Sequence, residues 1–370
     1  MAMAARLQLL ISPAAPPPPL STRAWSRRPV PVMHHPISSS YPSQSSPSIT
    51  PAASSSSSSS GSGQGQSITG SSKTSLKLTY LEINGWVWEL QQQGQAPLRI
   101  LVDPIVVGNL DFGAPWLFDG AKKNPKVKAL GVDDLLAPEM EPDLLLITQS
   151  LDDHCHVRTL TQLSARAPDL PVVTTPNAQP VLASLPTPFR RVTYLEPGQS
   201  TAVSDHIGIL ATAGPVLGPP WQRPENGYIL TAAGATGGDG DRRSRGLLYY
   251  EPHCVYDRSF LDKNRLRADV VITPVVKQLL PANFTLVSGQ EDAVDLARLL
   301  QARYVVPMSN GDVDTKGLLA TVLSTQGTTQ SFKAMLSEAL PEAQVLDPTP
   351  GVLLQLELDM DVQIHQAQLI

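Results

Sequence analysis

The run Leu144-Leu145-Leu146-Ile147 constrains this chain more than any other four residues. Four large apolar side chains with no polar position among them suit a strand buried on both faces. The run leads directly into Thr148-Gln149-Ser150-Leu151-Asp152-Asp153-His154-Cys155-His156. A buried strand therefore ends in a loop crowded with side chains able to hold a metal.

The rest of the chain divides by composition. The first 81 residues contain no Asp or Glu, carry four arginines and two lysines, and include an unbroken Ser run from Ser54 to Ser60. Pro is dense from Pro13 to Pro51. Such a segment cannot bury enough apolar surface to offset chain entropy. Its lack of acids and its Ser and Arg content fit an organelle transit peptide. The Ser and Pro content favours a chloroplast stromal destination over a mitochondrion, which would ask for a clearer basic amphipathic helix. We therefore expect 1–75 to be a disordered leader and linker, 76–360 the folded domain and 361–370 a tail. All 33 acids fall after the leader, so the folded part is acidic and has no basic cluster for nucleic acid. No apolar run approaches 18 residues, so no membrane span is expected. The two cysteines, Cys155 and Cys254, do not make a disulfide framework.

Local patterns give short strands with few helices. Leu76 to Leu90 alternates and breaks at Asn84-Gly85, a hairpin signal. Strands are expected at Leu98–Val102, Leu144–Thr148, Val172–Thr174, Val192–Tyr194, Ile207–Ala211, Tyr228–Ala232, Leu247–Tyr250, Val270–Ile272, Tyr304–Val306 and Leu353–Leu358. Gly108 to Pro125 and Gly234 to Gly246 read as surface loops. Helical spacing marks His156–Arg166, Asp292–Ala302 and a helix around Phe332 to Leu340, stopped by Pro341. Helices this few cannot cover one parallel sheet on both faces. Two sheets packed together with helices outside satisfy the pattern.

Several landmarks, taken in order, resemble the metallo-β-lactamase-fold hydrolases, in particular the branch typified by ascorbate-6-phosphate lactonase in a plant or cyanobacterial lineage. They are Leu101-Val102-Asp103-Pro104, Asp143 to Thr148 followed by Asp153-His154, Leu248 to His253, Asp269 to Pro274, and Tyr304 to Met308. The resemblance covers roughly residues 77–358. It implies an α/β fold, a four-layer αββα sandwich, preceded by the disordered N-terminal segment. It also implies that two metal histidines are missing, since Gln149 and Leu151 stand in their places. Ala211 to Pro220 contains no His for a third. The last ligand position is Ser309, and the position of the bridging Asp is His253.

What remains by that resemblance is Asp153, His154 and His253. Two imidazoles and a carboxylate can hold one Zn or one Fe with open positions. Asp153 is the catalytic candidate. His156, Asp312 and Cys254 are candidates for an extra ligand or for a hydrogen bond to one. A bound Zn would acidify a water for attack on an ester, lactone or phosphoester. Two further readings stand beside the hydrolase: a pseudoenzyme without metal that binds a small molecule or a partner, and a redox protein using iron or the two thiols. Asp153 as a cap on the helix beginning near His156 is the plain structural alternative. If the fold is right, Cys155 and Cys254 should lie near one pocket. Trp221 and Arg223 should sit at its mouth, or Trp221 should anchor a loop. Oligomeric state is not legible.

Overall fold

The structure is a computed structural model that describes residues 72–92, 94–217, 221–232 and 245–360. The leader, the tail and most of the Gly234 to Gly246 segment lie outside these residues. The strands of the two large sheets are numbered here in chain order. They are β1 (Ser72–Tyr80), β2 (Trp86–Gln92), β3 (Leu98–Val102), β4 (Leu144–Ile147), β5 (Val172–Thr174), β6 (Val192–Tyr194) and β7 (Ser200–Ala202). The others are β8 (Ile207–Ala213), β9 (Asn226–Ala232), β10 (Gly246–Tyr250), β11 (Ala268–Pro274), β12 (Tyr304–Met308), β13 (Gln344–Val345) and β14 (Leu353–Met360).

One sheet runs β14-β1-β2-β3-β4-β5-β6 and the other β13-β12-β11-β10-β9-β8-β7. In each, the strands that follow one another directly through a turn or loop at one side pair antiparallel and the remainder pair parallel, except that the last strand, β14, returns to pair antiparallel with β1. Period-two alternation decides which side chains meet between the sheets. On β1 and β2 these are Leu76, Leu78, Tyr80, Trp86, Trp88 and Leu90, all buried, with half-buried residues between them. Leu78 is paired with Trp88, and Tyr80 with Trp86, whose rings lie 4.5 Å apart. Trp88 packs edge-on against Tyr250 of the opposite sheet, 5.4 Å between ring centroids.

Helices cover both outer faces, as a sheet with two apolar faces requires. The odd-facing residues Leu101, Leu145 and Ile147 pack under α1 (Pro125–Ala129), α2 (Val132–Leu135), α3 (Val157–Arg166) and α4 (Gln179–Ala183). Ile229, Tyr249, Val271 and Val305 pack under α5 (Arg258–Lys263), α6 (Gln290–Leu300) and α7 (Thr329–Ala339). The result is the expected α/β sandwich of four layers.

The helix ends have local causes. Asp152 Oδ1 accepts from Val157 N–H at 3.1 Å and so caps α3. The cap is Asp152 rather than Asp153, because the turn before the helix brings only the former back over the first free N–H. Thr328 caps α7 reciprocally with Ser331, and Pro341 follows just beyond its end. The hairpin turn also differs from expectation. Its left-handed residues are Glu82 (φ 62) and Ile83 (φ 56) rather than Asn84-Gly85. Leu81 N–H donates to the Gly85 carbonyl at 2.8 Å, which makes the turn longer than two residues and buries Asn84.

Two small sheets escaped the sequence reading. Within the surface loop Gly108 to Pro125, Asp119–Ala121 pairs with Asp314–Lys316. Lys277–Leu280 lies between Phe284–Val287 and Ser324–Gln326. Short strands with exposed polar residues, such as Ser324 to Gln326, carry no alternation to detect.

Leu146 is fully buried between the sheets and Leu353 is 54% exposed. Leu146→Ala should cost about 2–5 kcal/mol of unfolding free energy, and Leu353→Ala within about 0.5 kcal/mol. Denaturant titration checks both; equal costs would contradict this placement of the core.

Candidate metal centre

The site forms where β4 and β10 end, because each strand is followed by a tight turn held by side chains. After β4, Leu151 C=O accepts from the N–H groups of His154 (3.0 Å) and Cys155 (2.6 Å). That turn points Asp153 and His154 back over the strand ends. After β10, the buried Glu251 accepts from His253 N–H (3.1 Å) and Val255 N–H (2.6 Å) through Oε2. The second turn puts Cys254 in the left-handed region (φ 53). It sets His253 opposite Asp153. The two sheets are tied here as well: Tyr228 hydroxyl donates to the Ile147 carbonyl (3.2 Å) and Asn226 N–H to the Thr148 carbonyl (3.2 Å).

Asp153, His154 and His253 present one ligand atom each, and these atoms all lie within 4.8 Å of one another. Asp153 Oδ2 is 3.2 Å from His154 Nε2 and 3.9 Å from His253 Nε2. The imidazole centroids are 5.1 Å apart. Asp153 Oδ1 is buried and has no hydrogen-bond partner among the described residues, a costly condition that a cation would relieve.

The other nitrogen of His154 is fixed. Its Nδ1 lies 2.8 Å from Asp103 Oδ2. Asp103 is fully buried, sits in the left-handed region (φ 40), and also accepts from Thr148 N–H (2.9 Å) and Thr148 hydroxyl (2.5 Å). A carboxylate on Nδ1–H selects the tautomer whose Nε2 lone pair faces the site, the usual arrangement behind a metal-bound imidazole. Asn84 Nδ2 donates to the Asp153 carbonyl (3.0 Å) and lies 3.1 Å from His154 Nε2. Gln149 Nε2 lies 2.7 Å from His253 Nδ1, and its Oε1 has no partner. Turning that amide over would let Nδ1–H donate to Oε1 and leave His253 Nε2 free as a ligand. The donor set thus fits one Zn or Fe ion.

The electrostatics describe the same place without an ion. Burial alone would push His154 down, but Asp153 and Asp103 outweigh it and hold the imidazole up at about 10. His253 goes the other way, to about 4, through burial and the positive charge of His154, with Asp153 opposing. Burial raises Asp153, and the two histidines more than reverse that, so its carboxyl ends below the ordinary range. Burial takes Glu251 up to about 8 against its N–H donors. Asp103 faces Nδ1 and Asp153 faces Nε2, so in the charged ring it is the Nε2 proton that occupies the side a metal would take. Loading a metal must displace that proton.

The remaining sequence candidates are not brought into this group. Asp312 is exposed, pairs with Lys123, and is not among the converging ligand atoms. His156 is buried at the start of α3 with Nδ1 2.8 Å from Thr159 hydroxyl, one side of a helix turn away from His154. The cysteines do not share a pocket. Cys155 packs in the apolar layer outside the first sheet and Cys254 in the layer outside the second, and both are free thiols. Burial pushes both thiols well up, and Cys254 is not among the ligand atoms that converge on Asp153, His154 and His253. Trp221 is 86% exposed, so it anchors nothing within the described residues, and Arg223 pairs with Glu196. Ser309 is exposed at the end of β12.

Sequence reasoning passed over Asp103, Asn84 and Glu251 as parts of the site. Asp103 and Glu251 stood inside quoted landmarks. No local pattern says that they turn inward.

A family model described as the beta-lactamase superfamily domain matches residues 77–309. That is more than half of the chain, and the protein belongs to this family. Among solved structures, a novel metallo hydrolase from the hyperthermophilic archaeon Ignicoccus hospitalis is 17% identical, with a TM-score of 0.51 over 77% of this chain and 99% of that one. An isothiocyanate hydrolase from Delia radicum gut bacteria is also 17% identical, with a TM-score of 0.49 over 76% of this chain and 98% of its own. Zn(2+)-bound PqqB from Methylobacterium extorquens is 12% identical, with a TM-score of 0.42 over 76% and 99%. At such identities the archaeal likeness shows the fold alone. No curated protein matches the chain.

Asp103→Asn keeps the shape but takes the charge from His154 Nδ1 and leaves one fewer acceptor for Thr148. It should weaken metal affinity about 10–100-fold and cost about 1–3 kcal/mol of stability. A competition titration with a metal indicator and a denaturant curve measure the two; unchanged affinity would show that Asp103 does not orient the imidazole.

Proposed function

We propose that this protein is a mononuclear metal-dependent hydrolase acting on a small ester, lactone or phosphoester, with the ion held by Asp153, His154 and His253. The observation that carries the reading is the convergence of those three ligand atoms from two distant segments, beside a buried carboxylate oxygen that has no hydrogen-bond partner among the described residues. When bound, the ion would supply Lewis acidity and a water acidified toward neutral pH. The chain's residues do the positioning. Asp103 holds His154, Gln149 holds the ring of His253, and Glu251 holds the turn that carries it. The side chain of His154 is fully buried, whereas those of Asp153 and His253 keep 15% and 12% exposure. Substrate therefore approaches from the Asp153 and His253 side.

The same donor set suits Fe(II), so the identity of the metal decides between hydrolytic and iron-based redox chemistry. Gln149 and Leu151, at positions where the resembled hydrolases carry histidines, support a second reading: a pseudoenzyme that keeps the pocket and binds no metal.

Metal analysis of protein purified without chelator discriminates these. The hydrolase reading expects about one Zn per chain, lost in His253→Ala and in Asp153→Asn, and retained in Cys254→Ala. One Fe with the same dependence replaces hydrolysis by redox chemistry. Metal-free protein whose melting point chelator leaves unchanged overturns both in favour of the pseudoenzyme.

A further inference from the structure

A second polar site lies apart from the metal centre, on the loop that follows β3. A cavity of about 120 Å³ is lined by Ile105, Val106, Gly108, Asn109, Lys122 and Lys128. That is roughly ten times the ~10–15 Å³ in which one water fits. No metal-centre residue lines it, although only Pro104 separates Asp103 from Ile105.

Lys122 is the unusual member. The residue is 6% exposed; among the described residues its ammonium makes no ion pair or side-chain hydrogen bond, and the Nζ atom is not sealed from solvent but opens to the cavity. Glu82 is the carboxylate whose charge reaches it, yet both Glu82 oxygens are taken by the backbone N–H groups of Lys123 and Asn124 (3.0–3.2 Å). Burial draws the Lys122 amine down to about 8, with Glu82 opposing. Glu82 is thus a counter-charge that is shared with two backbone N–H groups and compensates the ammonium only in part. Nearby polar groups are already spent. Asn109 Nδ2 donates to Asp119 (2.7 Å) and Arg158 pairs with Asp111 (3.0 Å). His156, within electrostatic reach of Lys122, is held neutral, near 4, by burial and by the adjacent cations. Lys122 and Lys128 both line this space, Lys128 at its exposed rim, so an anion entering it meets two positive charges.

We propose that this cavity binds a phosphoryl oxyanion, with Lys122 as its buried contact and Lys128 as the contact at the rim. A tetrahedral oxyanion of ≈ −1.5 to −2 charge offsets both ammoniums and offers each an acceptor. The ligand is either free phosphate or the phosphoryl group of a small metabolite. The proposal is independent of the metal reading.

The test is thermal unfolding of the full chain at fixed ionic strength, titrated with inorganic phosphate and, separately, with glycerol phosphate. A saturable rise in melting temperature is expected. Lys122→Met should abolish it, Lys128→Gln should raise the half-saturating concentration about tenfold, and His253→Ala should retain it. Saturation at lower glycerol phosphate than phosphate assigns a metabolite; the reverse assigns the free ion. No saturable rise, or the wild-type response persisting in Lys122→Met, overturns the proposal. A second readout does not depend on that variant folding. At a phosphate concentration about four times the half-saturating one, acetylation of Lys122 by an amine reagent should slow about fivefold against exposed Lys126, and equal rates with and without phosphate would count against the site.

Discussion

The contact between Asp103 and His154 is the constraint from which the site follows. Both side chains are fully buried, where an unpaired charge is prohibitive. Each therefore makes the other tolerable. Asp103 reaches the contact only by adopting a left-handed backbone at the end of β3, and Thr148 anchors it from the end of β4. Three elements are fixed by one carboxylate. That fixed imidazole turns its second nitrogen toward Asp153, and His253 completes the group from the other sheet.

The two sheets explain why the group can exist at all. Each sheet is closed off from water by helices on its outer face and by the partner sheet within. Only the strand ends are open to polar groups. Loops leaving β4 and β10 converge there, one from each sheet, and carry the acids and imidazoles that the apolar layers exclude. The cavity beyond β3 obeys the same logic. Its Lys122 is a largely buried side chain that lines the cavity, with Glu82 as the carboxylate whose charge reaches it.

The sequence was read well where periodicity had physical meaning. Leu76 to Leu90 alternates because one face meets the opposite sheet, and Leu144 to Ile147 does not because both its faces are covered. The helix from His156 to Arg166 and the one over Phe332 to Leu340 each show a single apolar stripe. Reading failed where structure depends on partners distant in the chain. Ser324 to Gln326 is a strand only because Lys277 to Leu280 lies beside it. The hairpin turn was assigned to Asn84-Gly85, yet Glu82 and Ile83 take the positive φ, since burying Asn84 against Asp153 and His154 outweighs local turn preference.

By itself, then, the sequence determined the four-layer architecture, through strands with two kinds of burial pattern and helices too few for a single sheet. It also determined which residue types were available at two strand ends, Asp153 and His154 after β4 and His253 after β10. Only the tertiary structure decided the rest. It sent Asp312 to Lys123, kept His156 beside its own helix, and placed Cys155 and Cys254 in opposite layers. It brought Asp103, Asn84 and Glu251 in. The reason is that a side chain's partner is set by the direction in which the strand end and turn aim it. That direction depends on packing between sheets, which no local stretch of sequence encodes.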